Sequence, residues 1–329
     1  MASFALTRPA AEERPAQRVV SPVRRRWCRP AAALGLAAGW LALAAPASAI
    51  PVWFTDNGWT KAYDEGFGSS GSLSDWSQYR AEGSTGGSGS GRYTSNAVSV
   101  ANGSLVIDAY SVGSTDYVGS LRSTQSWTYG YFEARIKFKT KSGMHQAFWM
   151  MPQGKNHADN NGTRPDLNGA EIDIVEHRIV DENGTNIGDD YWTANHWGGY
   201  GANHQSRGKL NQNKTGNDQW HTYGVQWNQD MYKFFIDDTY VGHTINDGIS
   251  GTAEYAIFSN NIGVNWSGSV LNSYGPKGDP GGKMEVDWFR VWQLGTAGAA
   301  AVPEPASASA ATLAGLALLT RRTRRTTGA

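Results

Sequence analysis

Cysteine is nearly missing from this chain. Of 329 residues only Cys28 carries a thiol, and it lies in a segment that reads as a leader, so neither a disulfide framework nor thiol chemistry is open to the remainder. No His or Cys cluster has zinc-ligand spacing, and no EF-hand loop occurs. Sustained 3.6-residue apolar stripes are absent, which argues against a helical fold. No apolar run reaches the roughly 20 residues that a membrane-spanning helix needs. Internal repeats are not evident.

Charge of one sign is in short supply only after the ends are set aside. The totals balance, at 29 basic and 29 acidic residues. The first segment carries Arg24, Arg25, Arg26 and Arg29, an apolar run from Ala31 to Ala45, and the small-residue triplet Ala47, Ser48, Ala49. That order is the signature of a secretory signal peptide over residues 1–49, with cleavage expected after Ala49. At the other end Val302, Pro303, Glu304 and Pro305 precede an apolar stretch through Leu319 and then Arg321, Arg322, Arg324 and Arg325. This tail resembles the PEP-CTERM sorting signal of Gram-negative bacteria. The resemblance implies export, transient inner-membrane anchoring and release at the cell surface, with 296–329 as linker and sorting tail. A short apolar helix followed by arginines is also what halts transfer with the charges on the cytoplasmic side. Between the ends, 18 basic residues face 26 acidic ones. The expected exported domain, residues 50–295, is therefore acidic, and nucleic acid is not expected as a partner because its affinity rests on Lys and Arg neutralising phosphates. A domain of this size has core enough to fold without staples.

What fills that domain is short alternating or apolar runs bounded by Gly, Asn, Asp and Ser, the pattern of strands. Strands are predicted near Ser104 to Tyr110, Tyr117 to Ser123, Tyr129 to Lys139, Gln146 to Met151, Ala170 to His177, Trp192 to Trp197, Trp220 to Trp227, Tyr232 to Asp237, Thr239 to Thr244, Tyr255 to Asn260 and Lys283 to Gln293. Two of them, separated by Asp237 and Asp238, form a hairpin with a two-residue turn. So many short strands imply an all-β sandwich or barrel. The Gly- and Ser-rich segment Ser69 to Gly91 is expected to be a surface loop carrying Trp76, and a second polar loop, Asn156 to Asn168, precedes the most informative strand.

That strand, Gly169 to His177, reads GAEIDIVEH and sets Glu171, Asp173 and Glu176 among Ile and Val. Carboxylates on so apolar a strand need a reason, since burying them unpaired is expensive. In a regular strand Glu171 and Asp173 share a face and Glu176 points the other way. One inserted residue, a bulge at Ile174 or Val175, restores all three to one face. The outer acids then lie roughly 13 Å apart along the backbone. Inward-leaning side chains bring their carboxyls to about 5 Å, the separation of retaining rather than inverting glycosidases.

The segment EIDIVE resembles the E-x-D-x-x-E signature of glycoside hydrolase family 16, in the branch with the extra residue. SWTYGYFEARIKFKT at Ser126 to Thr140, AFWMMPQ at Ala147 to Gln153, WHTYGVQW at Trp220 to Trp227 and MEVDWFRVWQ at Met284 to Gln293 stand in that family's order. The resemblance implies a concanavalin-like β-jelly-roll sandwich of two antiparallel sheets with a concave cleft. It also implies Glu171 as nucleophile, Asp173 as assisting carboxylate and Glu176 as general acid/base. No cofactor is expected for catalysis. A structural calcium remote from the cleft is implied, held by oxygens of Asp287, Gly103 and Glu65.

Twelve of the 14 tryptophans fall between the targeting segments, and aromatic faces stack on sugar rings. Trp149 and Trp127 resemble cleft-lining positions of the family, and His196 and Trp197 are expected to touch sugar beside the scissile bond. The expected activity is endo-hydrolysis of β-1,3- or mixed β-1,3/1,4-glucan by a secreted monomer. An agarase- or carrageenase-like hydrolase is the alternative, because Arg178, if turned inward, could bind sulfate. A transglycosylase and a non-catalytic carbohydrate-binding sandwich are further alternatives.

Overall fold

The computed structural model describes residues 58–68, 70–86, 89–152 and 165–295. The expected signal peptide and sorting tail lie outside the described residues, as do residues 153–164 of the polar loop. Strands come in chain order as β1 (Trp59–Glu65), β2 (Trp76–Gln78), β3 (Arg92–Tyr93), β4 (Val98–Ala101), β5 (Ser104–Val112) and β6 (Thr115–Val118). They continue with β7 (Ser120–Ser123), β8 (Gly130–Lys139), β9 (Met144–Pro152), β10 (Glu171–His177), β11 (Tyr191–Trp197) and β12 (Gln205–Asn211). The last are β13 (Trp220–Trp227), β14 (Tyr232–Ile236), β15 (Thr239–Ile245), β16 (Glu254–Ile262) and β17 (Lys283–Leu294).

Two sheets result, as expected of a jelly-roll sandwich. One runs β15-β14-β13-β8-β17-β5-β6-β3, with β1 also on β17 and β4 also on β5; the other runs β12-β11-β10-β9-β16-β7-β2. Apolar side chains alternate inward from both. Phe132, Ala134, Ile136 and Phe138 of β8 meet Phe148 and Met150 of β9, Ile172 of β10 and Phe258 of β16 in one buried cluster. The outward residues of β9, β10, β11 and β16 are left to form the cleft.

The hairpin of β14 and β15 turns at Asp237 and Asp238, both with positive φ (46° and 62°), the left-handed pair that a two-residue turn requires. The strand predicted from Tyr117 to Ser123 divides instead. β6 belongs to the first sheet and β7 to the second, and the chain crosses between them at Gly119. A Cβ there would lie 2.8 Å from Ile107 Cγ2 and 2.9 Å from the Ala97 carbonyl, so the crossing needs glycine. The segment expected to be a surface loop around Trp76 contains a 3-10 turn, Ser70–Asp75, and β2. Trp76 itself is buried against Phe67, Phe258 and Phe289.

Candidate active site

β10 pairs with β9 on one side and β11 on the other, and its register slips after Asp173 on both sides. The slip is the bulge that the spacing of the acids requires. Ile172, Ile174 and Val175 all pack into the core, whereas Glu171, Asp173 and Glu176 line one cleft. Consecutive residues 174 and 175 thus face the same way, and Glu176 returns to the side of Glu171.

Each acid has its own partner. Tyr200 donates its hydroxyl to Glu171 Oε2. Asp173 Oδ2 lies 3.3 Å from His196 Nε2, an ion pair too poorly aligned for a good hydrogen bond. Glu176 Oε1 lies 2.9 Å from His145 Nε2. His196 and His204 stack nearly parallel, with ring centroids 5.2 Å apart and Nδ1 of the first 3.0 Å from Nε2 of the second.

The charges follow from these contacts. Burial, then the neighbouring Asp173, pushes the Glu171 carboxyl well above the usual carboxylate range. Burial, then Glu176, raises Asp173 to about 6. Burial acts upward on Glu176 too, but the hydrogen bond and charge of His145 outweigh it and leave this carboxyl below its ordinary value. His196 runs opposite to its own burial: the Asp173 carboxylate beside it raises it to about 9. It is a cation at neutral pH, and it donates through Nδ1 to His204, which burial and the His196 charge keep low. Three carboxylates so close share a proton, and in the free cleft that proton favours Glu171. Glu171, Asp173 and His196 are the one group of three potential metal ligands among the described residues, with ligand atoms within 4.8 Å of one another. In the group the His196 cation balances charge of the two carboxyls.

The cleft has two halves that meet at the acids. Arg80, Tyr93, Trp149, Ser259 and Asn261 line one; Arg178, Glu182, Trp192, His196 and His204 line the other. Tyr200 and Trp266 line both. These two rings are 52% and 42% exposed, an exposure suited to stacking on sugars. Trp149 lines the cleft, its Nε1 donating to Ser259 Oγ at 3.0 Å and its ring edge-on to Tyr79.

Two expected contacts fall elsewhere. Trp127 is a core residue, packed on Tyr63, Phe132 and Phe289, because its isolated bridge to Glu254 turns the indole inward. Trp197 follows His196 on β11, so strand alternation sends it to the opposite side, where it packs closely on Gly248. Arg178 does reach the cleft. Its Nη1 donates to the Trp266 carbonyl and lies 3.9 Å from Glu182, so this cation already has partners. Sequence reasoning missed His145, Tyr200 and Trp266. Strand parity could have found His145, which shares its side of β9 with Ala147 and Trp149; Tyr200 and Trp266 sit on loops, where no periodicity points to them.

Asp287 lies on β17, and the chain segments that carry Gly103 and Glu65 border that strand. Val286 pairs with Leu105, Gly103 lies in the β4–β5 turn, and Glu65 pairs with Phe289. Asp287 Oδ2 holds Arg135 at 2.6 Å, and Glu65 Oε1 accepts from the Phe67 amide at 2.8 Å. Calcium coordinates carboxylate and carbonyl oxygens, the donor types that these three positions carry. A calcium held there would staple β1 and β17 far from the acids. With it, chelator should lower the melting temperature and leave turnover at low temperature intact. An unchanged melting curve would leave Arg135 as the sole partner of Asp287.

The profile of glycosyl hydrolases family 16 matches residues 89–290, a span that contains the cleft residues from Tyr93 to Trp266. Among curated proteins, the chain is 28% identical over 213 residues to the clotting factor G alpha subunit of Tachypleus tridentatus, covering 61% of this chain and 29% of that one. It is 26% identical over 183 residues to a beta-glucanase of Rhodothermus marinus, covering 52% of this chain and 60% of the other. The chain thus spans less than two thirds of the length of these relatives. Among solved structures, a family 16 endo-glucanase from Bacteroides ovatus, in complex with G4G3G-2F-DNP, superposes with a TM-score of 0.58 at 23% identity, covering 70% of this chain and 99% of that one. This last likeness concerns the fold. Profile, sheet order and the bulged strand of acids lead to one conclusion: the chain belongs to glycosyl hydrolase family 16.

Proposed function

We propose that the protein is a retaining endo-β-glycanase acting on β-1,3- or mixed β-1,3/1,4-glucan. The observation that carries this is the bulge at Ile174, which sets Glu171, Asp173 and Glu176 side by side on the cleft floor. A binding module has no use for three carboxylates that must share a proton, whereas double displacement needs one ionised and one protonated acid.

In the first step Glu171 attacks the anomeric carbon, the glycosidic C–O bond breaks, and Glu176 gives its proton to the leaving oxygen. In the second, Glu176 takes a proton from water, the oxygen bonds to the anomeric carbon, and Glu171 departs as carboxylate. Before the first step the proton that favours Glu171 in the free cleft has to reside on Glu176. Substrate favours that move because positive charge developing at the anomeric carbon favours an anion at Glu171. Asp173, between them and paired with the His196 cation, sets the balance.

Substrate is assigned to glucan because the beta-glucanase relative supports that side of the family. The partners of Arg178 weigh against sulfate binding. Export by the signal peptide and release at the cell surface complete the proposal and suit a polymer too large to enter a cell. Reducing ends released from laminarin, lichenan, agarose and carrageenan test it. Activity is expected on the first two, and activity confined to either galactan would move the enzyme to the agarase- or carrageenase-like alternative.

A further inference from the structure

His145 belongs to none of the motifs that carry the resemblance, yet among the described residues it alone touches Glu176 through an ion-pair contact. We propose that His145 is the positioning residue of the acid/base carboxylate: by donating Nε2–H to Oε1 of Glu176, it reserves Oε2 to carry the proton to and from the glycosidic oxygen. The inference rests on the role given to Glu176 above.

Geometry supplies the argument. Ala147 on β9 is the register partner of Glu176, and His145 lies two residues before it on the same side of the strand, at the diagonal position that long side chains bridge. The contact is 2.9 Å, with the His and Glu side chains 14% and 17% exposed. Trp266 meets the imidazole edge-on, at 5.9 Å and 78°, so the ring is confined on the cleft side as well. An unrestrained carboxyl could bear its proton on either oxygen, and rotation would exchange them. A donor fixed on Oε1 makes that oxygen an acceptor only and turns the other toward substrate.

Charge adds a second consequence. The titratable and charged groups facing Glu176 are His145 on β9, His196 on β11, Asp173 and Glu171 on its own strand, and Arg178 beyond the strand's end. His145 is the main influence holding Glu176 below its ordinary value against the opposing effect of burial. This favours the anion that deprotonates water in the second step. In the first step Glu176 must be protonated, so loss of the proton that the coupled acids share forms the basic limb of the kcat/KM profile. Removing His145 takes away what favours the anion, so the limb moves to higher pH.

The test compares His145→Ala and His145→Gln in the full chain, on a β-glucan polymer and on a 2,4-dinitrophenyl β-glucan oligosaccharide whose leaving group needs no proton. His145→Ala should lower kcat/KM on the polymer about 10-fold or more, with little change on the dinitrophenyl substrate. Its basic limb should move upward. His145→Gln keeps a neutral donor and should recover most of the polymer activity while retaining the shifted limb. Equal losses on both substrates, or an unmoved limb in both variants, would overturn the proposal. If the alanine variant does not fold, the glutamine limb decides alone. Glu176→Ala on the same pair separates the two levels. Should it lose both substrates equally, the acid/base role fails and the positioning role falls with it; should it spare the dinitrophenyl substrate while His145→Ala does not, only the His145 proposal fails.

Discussion

Glu171→Ala should lower turnover by on the order of 10⁴-fold, because without that carboxylate no covalent glycosyl-enzyme can form. Added azide or formate should not restore retained product; a small anion in the vacated space can only attack the anomeric carbon directly and yield the inverted glycosyl adduct. Glu176→Ala should behave differently. It should lose about 10²- to 10⁴-fold on polysaccharide, yet still form the intermediate from an activated aryl glycoside, and azide should then release it as the β-adduct. The contrast has particular force here because burial and Asp173 place the free-cleft proton toward Glu171 while His145 favours the anion at Glu176. Roles taken from the free cleft alone would be exchanged. If Glu171→Ala gave the β-azide and Glu176→Ala the inverted one, the nucleophile would be Glu176.

Asp173→Asn should preserve the fold and lose activity by about 10²-fold or more, since an amide of the same shape removes the charge that couples the two glutamates. An independent sign comes from His196, whose rise to about 9 overcomes burial through the charge of Asp173 beside it. In the variant those supports are gone while burial remains, so its titration by NMR should move well below 9. A variant with full activity and an unmoved His196 would show that Asp173 neither assists the glutamates nor holds the imidazolium.

Much of the fold was legible because its strands alternate. Eleven predicted segments correspond to strands β5 to β11 and β13 to β17, with the Tyr117 to Ser123 segment split in two by Gly119. The missing ones have a common cause. β12 is polar on both sides, with its first four residues exposed, and is held by its seven-residue register with β11; β1 to β4 are short or exposed and owe their form to neighbours distant in sequence. Tertiary pairing decided these segments, where local pattern was silent.

The site divides along the same line. Glu171, Asp173 and Glu176 stood out because three acids on an apolar strand conflict with burial, and their odd spacing demanded a bulge. Trp127 and Trp197 misled because abundance of tryptophan says nothing of the side to which each ring turns. Parity already placed Trp197 opposite His196, and only the packing of Trp127 on Phe132 and Phe289 gave its direction. His145, Tyr200 and Trp266 converge from three separate segments, a convergence that exists only once the sandwich is closed.

The stereochemistry of hydrolysis bears most directly on the central claim that Glu171 and Glu176 act by double displacement. Proton NMR during the first minutes of laminarin or lichenan hydrolysis, before mutarotation, resolves the newly formed anomer. The account predicts β product, which then drifts toward the equilibrium mixture. An initial α product would show a single displacement by water and contradict both the nucleophile and the close spacing of the two carboxyls.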